Sequence, residues 1–287
     1  MPNAGMLECW NSSRRRSGRH SGTDDSQLPY SSIPAFQHSD SCPRPPPPTL
    51  LRVPAPVLPD PASAWPVGIA VIVPVFDHAA TVAAVVARCR ALGARHILVV
   101  DDGSRDGSGA RSGGDDLLTL PGNRGKGTAL QAGFERLAAA GWSQVLSIDA
   151  DLQHPPAEAL RLAQAAVAEP AALWVGVRRM PHAPLASRVG RWMTGFASWA
   201  ACGRWPADNQ CGLRVWPLPA MLRLATRSRR YAYEPESLVR AVRAGISVRE
   251  LPVEVDYPAD RISHFAVVRD TARTAGVMAR LLLTRGA

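Results

Sequence analysis

Asp149-Ala150-Asp151 follows directly on the apolar run Val145-Leu146-Ser147-Ile148, so two carboxylates one residue apart are delivered from the end of a buried strand. Carboxylates in that setting can share a hard divalent cation with a substrate's phosphates. Ions of the magnesium type take oxygen ligands and are held by one or two carboxylates plus the phosphates themselves. Two further polar clusters end apolar runs: Pro74-Val75-Phe76-Asp77-His78, and Asp101-Asp102-Gly103-Ser104 after Val99-Val100. Asn123-Arg124-Gly125-Lys126-Gly127 carries the one lysine among 33 Lys and Arg residues, in a Gly-rich turn suited to a phosphate or substrate contact.

Simpler assignments of these motifs fail on spacing. Asp102-Gly103-Ser104-Arg105-Asp106-Gly107 begins like an EF-hand loop, but Gly113 occupies the position that needs a bidentate Glu. Gly122 to Thr128 resembles a phosphate-binding loop, yet Leu120 replaces the upstream glycine and Gly127 follows the lysine where Ser or Thr is required. The expectation is instead a tight turn exposing Asp101 and Asp102 to a nucleoside. Helix-opening backbone N–H groups after Gly125 would favour an anionic ligand.

The elements that must position these clusters alternate. Apolar runs at 68–73, 97–100, 117–120, 144–148 and 172–177 read as strands. Stretches at 79–90, 128–140 and 156–168 read as helices. Such alternation argues for an α/β fold, a mostly parallel sheet flanked by helices, in which ligands bind outside the carboxyl ends of the strands. Beyond 177, a basic stretch through Arg178, Arg179, Arg188 and Arg191 reads as a mobile loop. Helix (192–202), strand (211–216), helix (234–244) and strand (247–255) follow. A final amphipathic helix at 265–283, with Val268, Ala272, Ala275, Met278, Ala279 and Leu282 apolar, either packs on the domain or lies at a membrane interface. The segment 108–116 reads as a Gly-rich loop.

Composition divides the 287 residues unevenly. Residues 1–65 are rich in Pro, Ser and Arg without an apolar period and read as a disordered tail; 66–284 read as one folded domain. No apolar segment of signal length follows Arg14-Arg15-Arg16 and no run has transmembrane length, which leads to the expectation of a cytoplasmic protein. Five cysteines without Cys-x-x-Cys spacing support neither a disulfide framework nor a zinc ribbon. The net charge of +9 suits nucleic acid, an anionic membrane or phosphorylated substrates, and does not choose among them.

Taken together, the four clusters, extended through Gln153-His154-Pro155-Pro156, Asp208-Asn209-Gln210-Cys211-Gly212-Leu213-Arg214, Tyr233-Glu234-Pro235-Glu236 and 257–265, resemble family 2 glycosyltransferases of the GT-A fold, the nucleotide-diphospho-sugar transferase variant of a Rossmann-like sheet. The resemblance is to the dolichyl-phosphate-mannose-synthase-like branch, and more closely to bacterial domains associated with aryl polyene pigment clusters. His78 stands where polyprenyl-phosphate sugar synthases often carry Glu, and His264 where they often carry Lys.

What the resemblance implies is metal-dependent, inverting transfer of a sugar from a nucleoside diphosphate sugar. Pro74, Phe76, Asp77, His78, Asp101, Asp102, Lys126, Asp149, Ala150 and Asp151 would bind the donor. Asp149, Asp151 and Gln153, the DXD motif and its neighbour, would hold Mg2+ or Mn2+. A hydroxyl acceptor would need a general base, for which Asp208 is the candidate. A polyprenyl phosphate or pigment-type lipid acceptor would instead want the arginines Arg178, Arg214 and Arg261, met at the inner face of the membrane by peripheral contact. Nucleic acid is not an expected partner. The alternatives are a non-catalytic basic protein binding nucleic acid or an anionic membrane, and a sugar nucleotidyltransferase, which the missing Gly-rich loop after the first strand disfavours.

Overall fold

The computed structural model describes residues 64–179, 185–224, 226–256 and 267–284. Seven strands form one sheet in the order β3-β2-β1-β4-β6-β5-β7. They are β1 Ile69–Val75, β2 Ile97–Asp101, β3 Asp116–Thr119, β4 Gln144–Ser147, β5 Leu173–Arg178, β6 Arg214–Pro217 and β7 Val248–Val253. Every pairing is parallel except those of β6, which runs against both β4 and β5. The central strands are continuous apolar runs because both faces are covered: each residue of β1 and β2 is buried. The edge strand β3 alternates half-buried and exposed residues, as a strand with one free side should.

Helices α1 (Val82–Ala91) and α4 (Pro156–Ala166) pack together and against β1, β5 and β6. Helix α3 (Lys126–Ala139) packs on β1 and β2, together with α6 (Leu218–Leu222) and α7 (Tyr233–Arg243). Full burial of each Val, Ile or Leu in this core contributes about 1.5–3 kcal/mol, and the largest cluster takes in all the central strands. Trp65 belongs to it, donating its indole N–H to the Ile69 carbonyl at 2.8 Å, so the folded domain already includes residue 65. The rest of the expected tail, 1–63, lies outside the described residues.

Three elements differ from the sequence expectation. A one-turn helix α2 (Ser108–Arg111) replaces the start of the loop read at 108–116. Asp106 creates it by accepting N–H groups from both Ser108 and Ala79 at 2.9 Å, while the Ser108 hydroxyl accepts the His78 N–H at 2.8 Å. Helix α5 (Leu185–Cys202) begins well before Trp192, so the positions of Arg188 and Arg191 are helical and not in a mobile loop. In the final helix α8 (Val267–Leu283) the buried stripe is Thr274, Met278 and Leu281, whereas Ala275, Ala279 and Leu282 are exposed. That stripe is covered by α5 and α7 through Ala201 and Val239, so Met278 and Leu281 belong to the core. No helix among the described residues is long and apolar enough to cross a membrane.

Cys89, Cys202 and Cys211 are free thiols. Burial pushes the thiols of Cys89 and Cys211 up to about 12, which keeps them protonated and unreactive at neutral pH. Alkylation of the native protein at pH 7.5, mapped by mass spectrometry, is expected to leave both unmodified until denaturant is added; labelling of either in the native state contradicts this packing.

Candidate active site

Three parallel strand ends meet at the centre of the sheet in the order β2, β1, β4. The last β1–β4 pair is Ile72 with Ser147. Pro74, which has no N–H to give, falls just beyond it, where the two strands part. Phe76, Asp77 and His78 follow β1 half-buried. Asp77 and Leu152 hold positive φ angles of 52° and 62° without being glycine, one in each loop flanking this crevice. Such backbone costs of order 1–3 kcal/mol per residue and collects at functional sites. The antiparallel sense of β6 matters here, because it brings the start of that strand, Arg214, opposite Ser147. The loop 208–213 is thereby delivered to the same edge, and β5 ends there at Arg178.

Asp101 and Asp102 do not face outward as the sequence suggested; both are buried. Asp101 accepts the Ser104 N–H at 2.8 Å. The two oxygens of Asp102 accept the N–H groups of Arg124 (2.8 Å) and Gly125 (2.6 Å), fastening the lysine loop to the end of β2. Gly103, at φ 76°, permits this closeness, since a Cβ there would sit 2.7 Å from the Gly122 carbonyl carbon. These two carboxylates therefore shape one wall of the crevice by holding its loops. Ala150 is also structural: it is buried, and its carbonyl accepts the Thr81 hydroxyl at 2.6 Å.

Lys126 is the hub of the crevice. Its Nζ lies 2.6 Å from Asp149 Oδ1 and 2.8 Å from Glu234 Oε1. Burial alone would depress the ammonium, but the two carboxylates outweigh it and hold its pKa above the usual lysine value. Burial likewise works against Asp149, yet Lys126 keeps that carboxyl below the ordinary carboxylate range. The lysine, expected to touch the donor or its phosphates, is held by Asp149 and by the first turn of α7. Gly212 makes room: a Cβ there would come within 2.5 Å of Lys126 Nζ and overlap Asp149 Oδ2.

Asp151 has no such compensation. Its one hydrogen bond among the described residues is from the Gln153 N–H at 3.0 Å, and burial, reinforced by Asp149, raises its pKa to about 6. With Lys126, Asp149, Glu234 and Asp151 ionised, the formal charges leave two negative charges in the crevice. The donor set fits a divalent cation that draws most ligands from elsewhere. Among the described residues no group of three His, Cys, Asp or Glu side chains could hold a metal alone, while the Asp151 carboxylate and the Gln153 side-chain amide remain open. Neighbouring His154 is buried, with its pKa lowered to about 4 by burial, and contributes no charge at neutral pH.

Asp208 and Arg178, assigned separate roles from sequence, are partners. Arg178 Nε and Nη2 reach the two Asp208 oxygens at 2.6 and 3.0 Å, and the Gln210 N–H adds a bond at 3.1 Å. Although burial opposes ionisation of Asp208, Arg178 and these hydrogen bonds hold its pKa below the usual range, which makes it a poor proton acceptor. Arg214 is fully buried, with its guanidinium spent on the carbonyls of Cys211, Glu234 and Asn209 at 2.8–2.9 Å. It braces the loop and offers no donor to a substrate. Arg261 and His264 lie outside the described residues.

A family model described as glycosyl transferase family 2 matches residues 70–192. Polyprenol monophosphomannose synthase of Mycolicibacterium smegmatis is 31% identical over 204 residues, an alignment covering 64% of this chain and 75% of that protein. The chain belongs to glycosyl transferase family 2. A second relative is the UDP-N-acetylglucosamine–dolichyl-phosphate N-acetylglucosaminyltransferase of Methanococcus voltae, 26% identical over 57% of this chain and 66% of that one. Among solved structures, glucosyl-3-phosphoglycerate synthase of Mycobacterium tuberculosis, in complex with Mn2+, UDP and glucosyl-3-phosphoglycerate, superposes with a TM-score of 0.58 at 20% identity, covering 76% of this chain and 79% of that one. The protein is therefore a family 2 glycosyltransferase with the GT-A fold, in place of the non-catalytic and nucleotidyltransferase alternatives.

The sequence reading of this glycosyltransferase missed Glu234 and Gly212 as working parts. Both stand in motifs the resemblance covers, but nothing in the sequence pairs either with Lys126. Removing the lysine leaves two carboxylates facing one another, and uncompensated buried charge costs about 3–5 kcal/mol. Lys126→Ala is expected to lose that much stability in urea unfolding and to weaken donor binding in calorimetry. Gly212→Ala should reduce transfer at least tenfold with a smaller stability loss. Wild-type behaviour of either variant would remove the triad from the account.

Proposed function

We propose that this enzyme transfers a sugar, with inversion, from a nucleoside diphosphate sugar to an acceptor that already carries a phosphate, and that it does so at a membrane surface with Mg2+ or Mn2+ bound. The Arg178–Asp208 pair carries the reading. A hydroxyl acceptor would need a free base, and the carboxylate best placed for that role is saturated and of low pKa. A phosphate oxygen is a nucleophile without deprotonation. Two relatives named for polyprenol-phosphate or dolichyl-phosphate chemistry support the same choice.

In this reading Asp151 and Gln153 hold the ion against the donor pyrophosphate, and when bound it supplies Lewis acidity to the departing nucleoside diphosphate. Asp149 keeps Lys126 in place. Phe76, Asp77 and His78 line the nucleoside side, with Asp101 and Asp102 fixing the wall behind them. Asp208 orients Arg178 toward the acceptor phosphate as a positioning residue.

Helix α5 supports the membrane location. Trp192 stacks on Phe196 at a ring distance of 5.8 Å and Phe196 meets Trp199 tilted at 5.7 Å, with the three 59%, 47% and 47% exposed, and Trp205 joins Trp192 at 6.4 Å. Large aromatic side chains left in water at this density suit a bilayer interface, where an indole body is buried and its N–H stays wet. A net charge of +9 favours an anionic one.

Asp151→Asn is expected to abolish Mn2+-dependent UDP binding in calorimetry and sugar transfer together, with an unchanged circular dichroism spectrum; retained metal-dependent binding would exclude Asp151 as the ligand. The triple variant Trp192→Ser, Phe196→Ser, Trp199→Ser should lose flotation with vesicles containing phosphatidylglycerol while still binding UDP and Mn2+. Undiminished flotation would rule out α5 as the membrane contact.

A further inference from the structure

A cavity of about 900 Å³ opens between the lysine loop, the segment joining α6 to α7, and the outer face of α8. Its lining includes five arginines, Arg124, Arg229, Arg230, Arg273 and Arg280, and no Asp or Glu. None of the residues assigned to the donor metal lines it.

Elsewhere among the described residues eight arginines are ion-paired, while Arg88, Arg95, Arg105, Arg111, Arg223 and Arg227 stand exposed on the outer surface without an ion pair. Arg90, Arg136, Arg161, Arg178, Arg179, Arg204, Arg240 and Arg249 each have a carboxylate partner. Around this cavity, Arg124, Arg229, Arg230 and Arg280 make no ion pair and no side-chain hydrogen bond among the described residues. Asp102 feels the charge of Arg230, but its carboxylate is buried and bonded to backbone N–H groups. Exposed arginines on a convex surface separate in water; these converge on a concavity.

The frame behind them is rigid. Arg273, Gly276, Val277 and Arg280 line the cavity from α8, and the neighbouring stripe Thr274, Met278 and Leu281 is buried, with Val277 packed against it. Gly276 leaves the cavity wall open, since a Cβ there would have no heavy atom within 4 Å. On the other wall, Arg229 is tied to the start of α3 by its carbonyl, which accepts the Thr128 N–H at 3.1 Å. Guanidinium groups match phosphate oxygens with paired N–H donors, and several held in one concavity favour a ligand with more than one anionic group.

We infer that this cavity is a second anion site, separate from the donor metal site, for a ligand carrying two or more phosphate groups. The sources of that chemistry are a soluble ester with two or more phosphates and the headgroup of a phospholipid with two or more phosphates. The inference does not rest on the choice of acceptor proposed above.

The test is calorimetry of the full chain with inorganic tripolyphosphate in metal-free buffer. Wild-type protein should bind, with affinity falling as salt rises. The double variant Arg229→Ala, Arg280→Ala should bind roughly tenfold more weakly or worse. Gly276→Glu, which places a carboxylate in the open cavity while suiting a helix, should do the same, and it covers the case in which the arginine variant folds poorly. Both variants should keep UDP binding with Mn2+. Competition by phosphatidylcholine vesicles containing cardiolipin, which carries two phosphates, assigns the site to a lipid headgroup, and lack of competition to a soluble phosphate. Unchanged tripolyphosphate affinity in both variants, or its displacement by UDP with Mn2+, would overturn a separate site.

Discussion

The ion triad of Lys126, Asp149 and Glu234 is the constraint on which the crevice depends, because each member comes from a different part of the sheet and its helices. Lys126 opens α3, Asp149 follows β4, and Glu234 begins α7. A buried pair of this kind adds little net stability against an apolar alternative, since desolvation offsets the attraction. Its value lies in register. It fixes the end of β4 relative to two helices within 3 Å contacts, and it permits no side chain at position 212.

The same triad sets the electrostatics around it. Asp149 is charge-compensated and Asp151 is not, although the two are separated by one residue. A doubly negative crevice with one open carboxylate suits a divalent ion shared with phosphates better than a closed metal cage. A few residues away, the Arg178–Asp208 pair is neutral as a unit and braced by backbone N–H groups. An arginine–carboxylate and a lysine–carboxylate system thus stand side by side along this edge of the sheet. The arginine cavity at α8 is a third zone, of opposite sign.

Much of this was legible from residue order. The strand–helix alternation, the parallel sheet and the family resemblance followed from apolar runs ending in polar clusters, and β1, β2, β4, α3 and α4 lie within a few residues of where periodicity places them. The helix at 108–111 was not legible, because it depends on Asp106 capping a turn against Ala79, a contact 27 residues away. The phase of α8 was misread for a similar reason. Alanine is compatible with either environment, so the stripe is decided by what α5 presents to it.

Sequence alone determined that carboxylates stand at strand ends and a solitary lysine in a Gly-rich turn before a helix, since the period of the apolar runs dictates where strands stop. It could not determine which charge meets which. Asp208 read as a base and Arg178 and Arg214 as acceptor clamps because each type is competent for that role in isolation. Only the tertiary structure paired the first two and buried the third, through the reversal of β6 that carries the loop 208–213 back to the ends of β4 and β5. Coulombic interaction acts through space with no memory of chain position, so the roles of ionisable residues were settled when the sheet order brought them together.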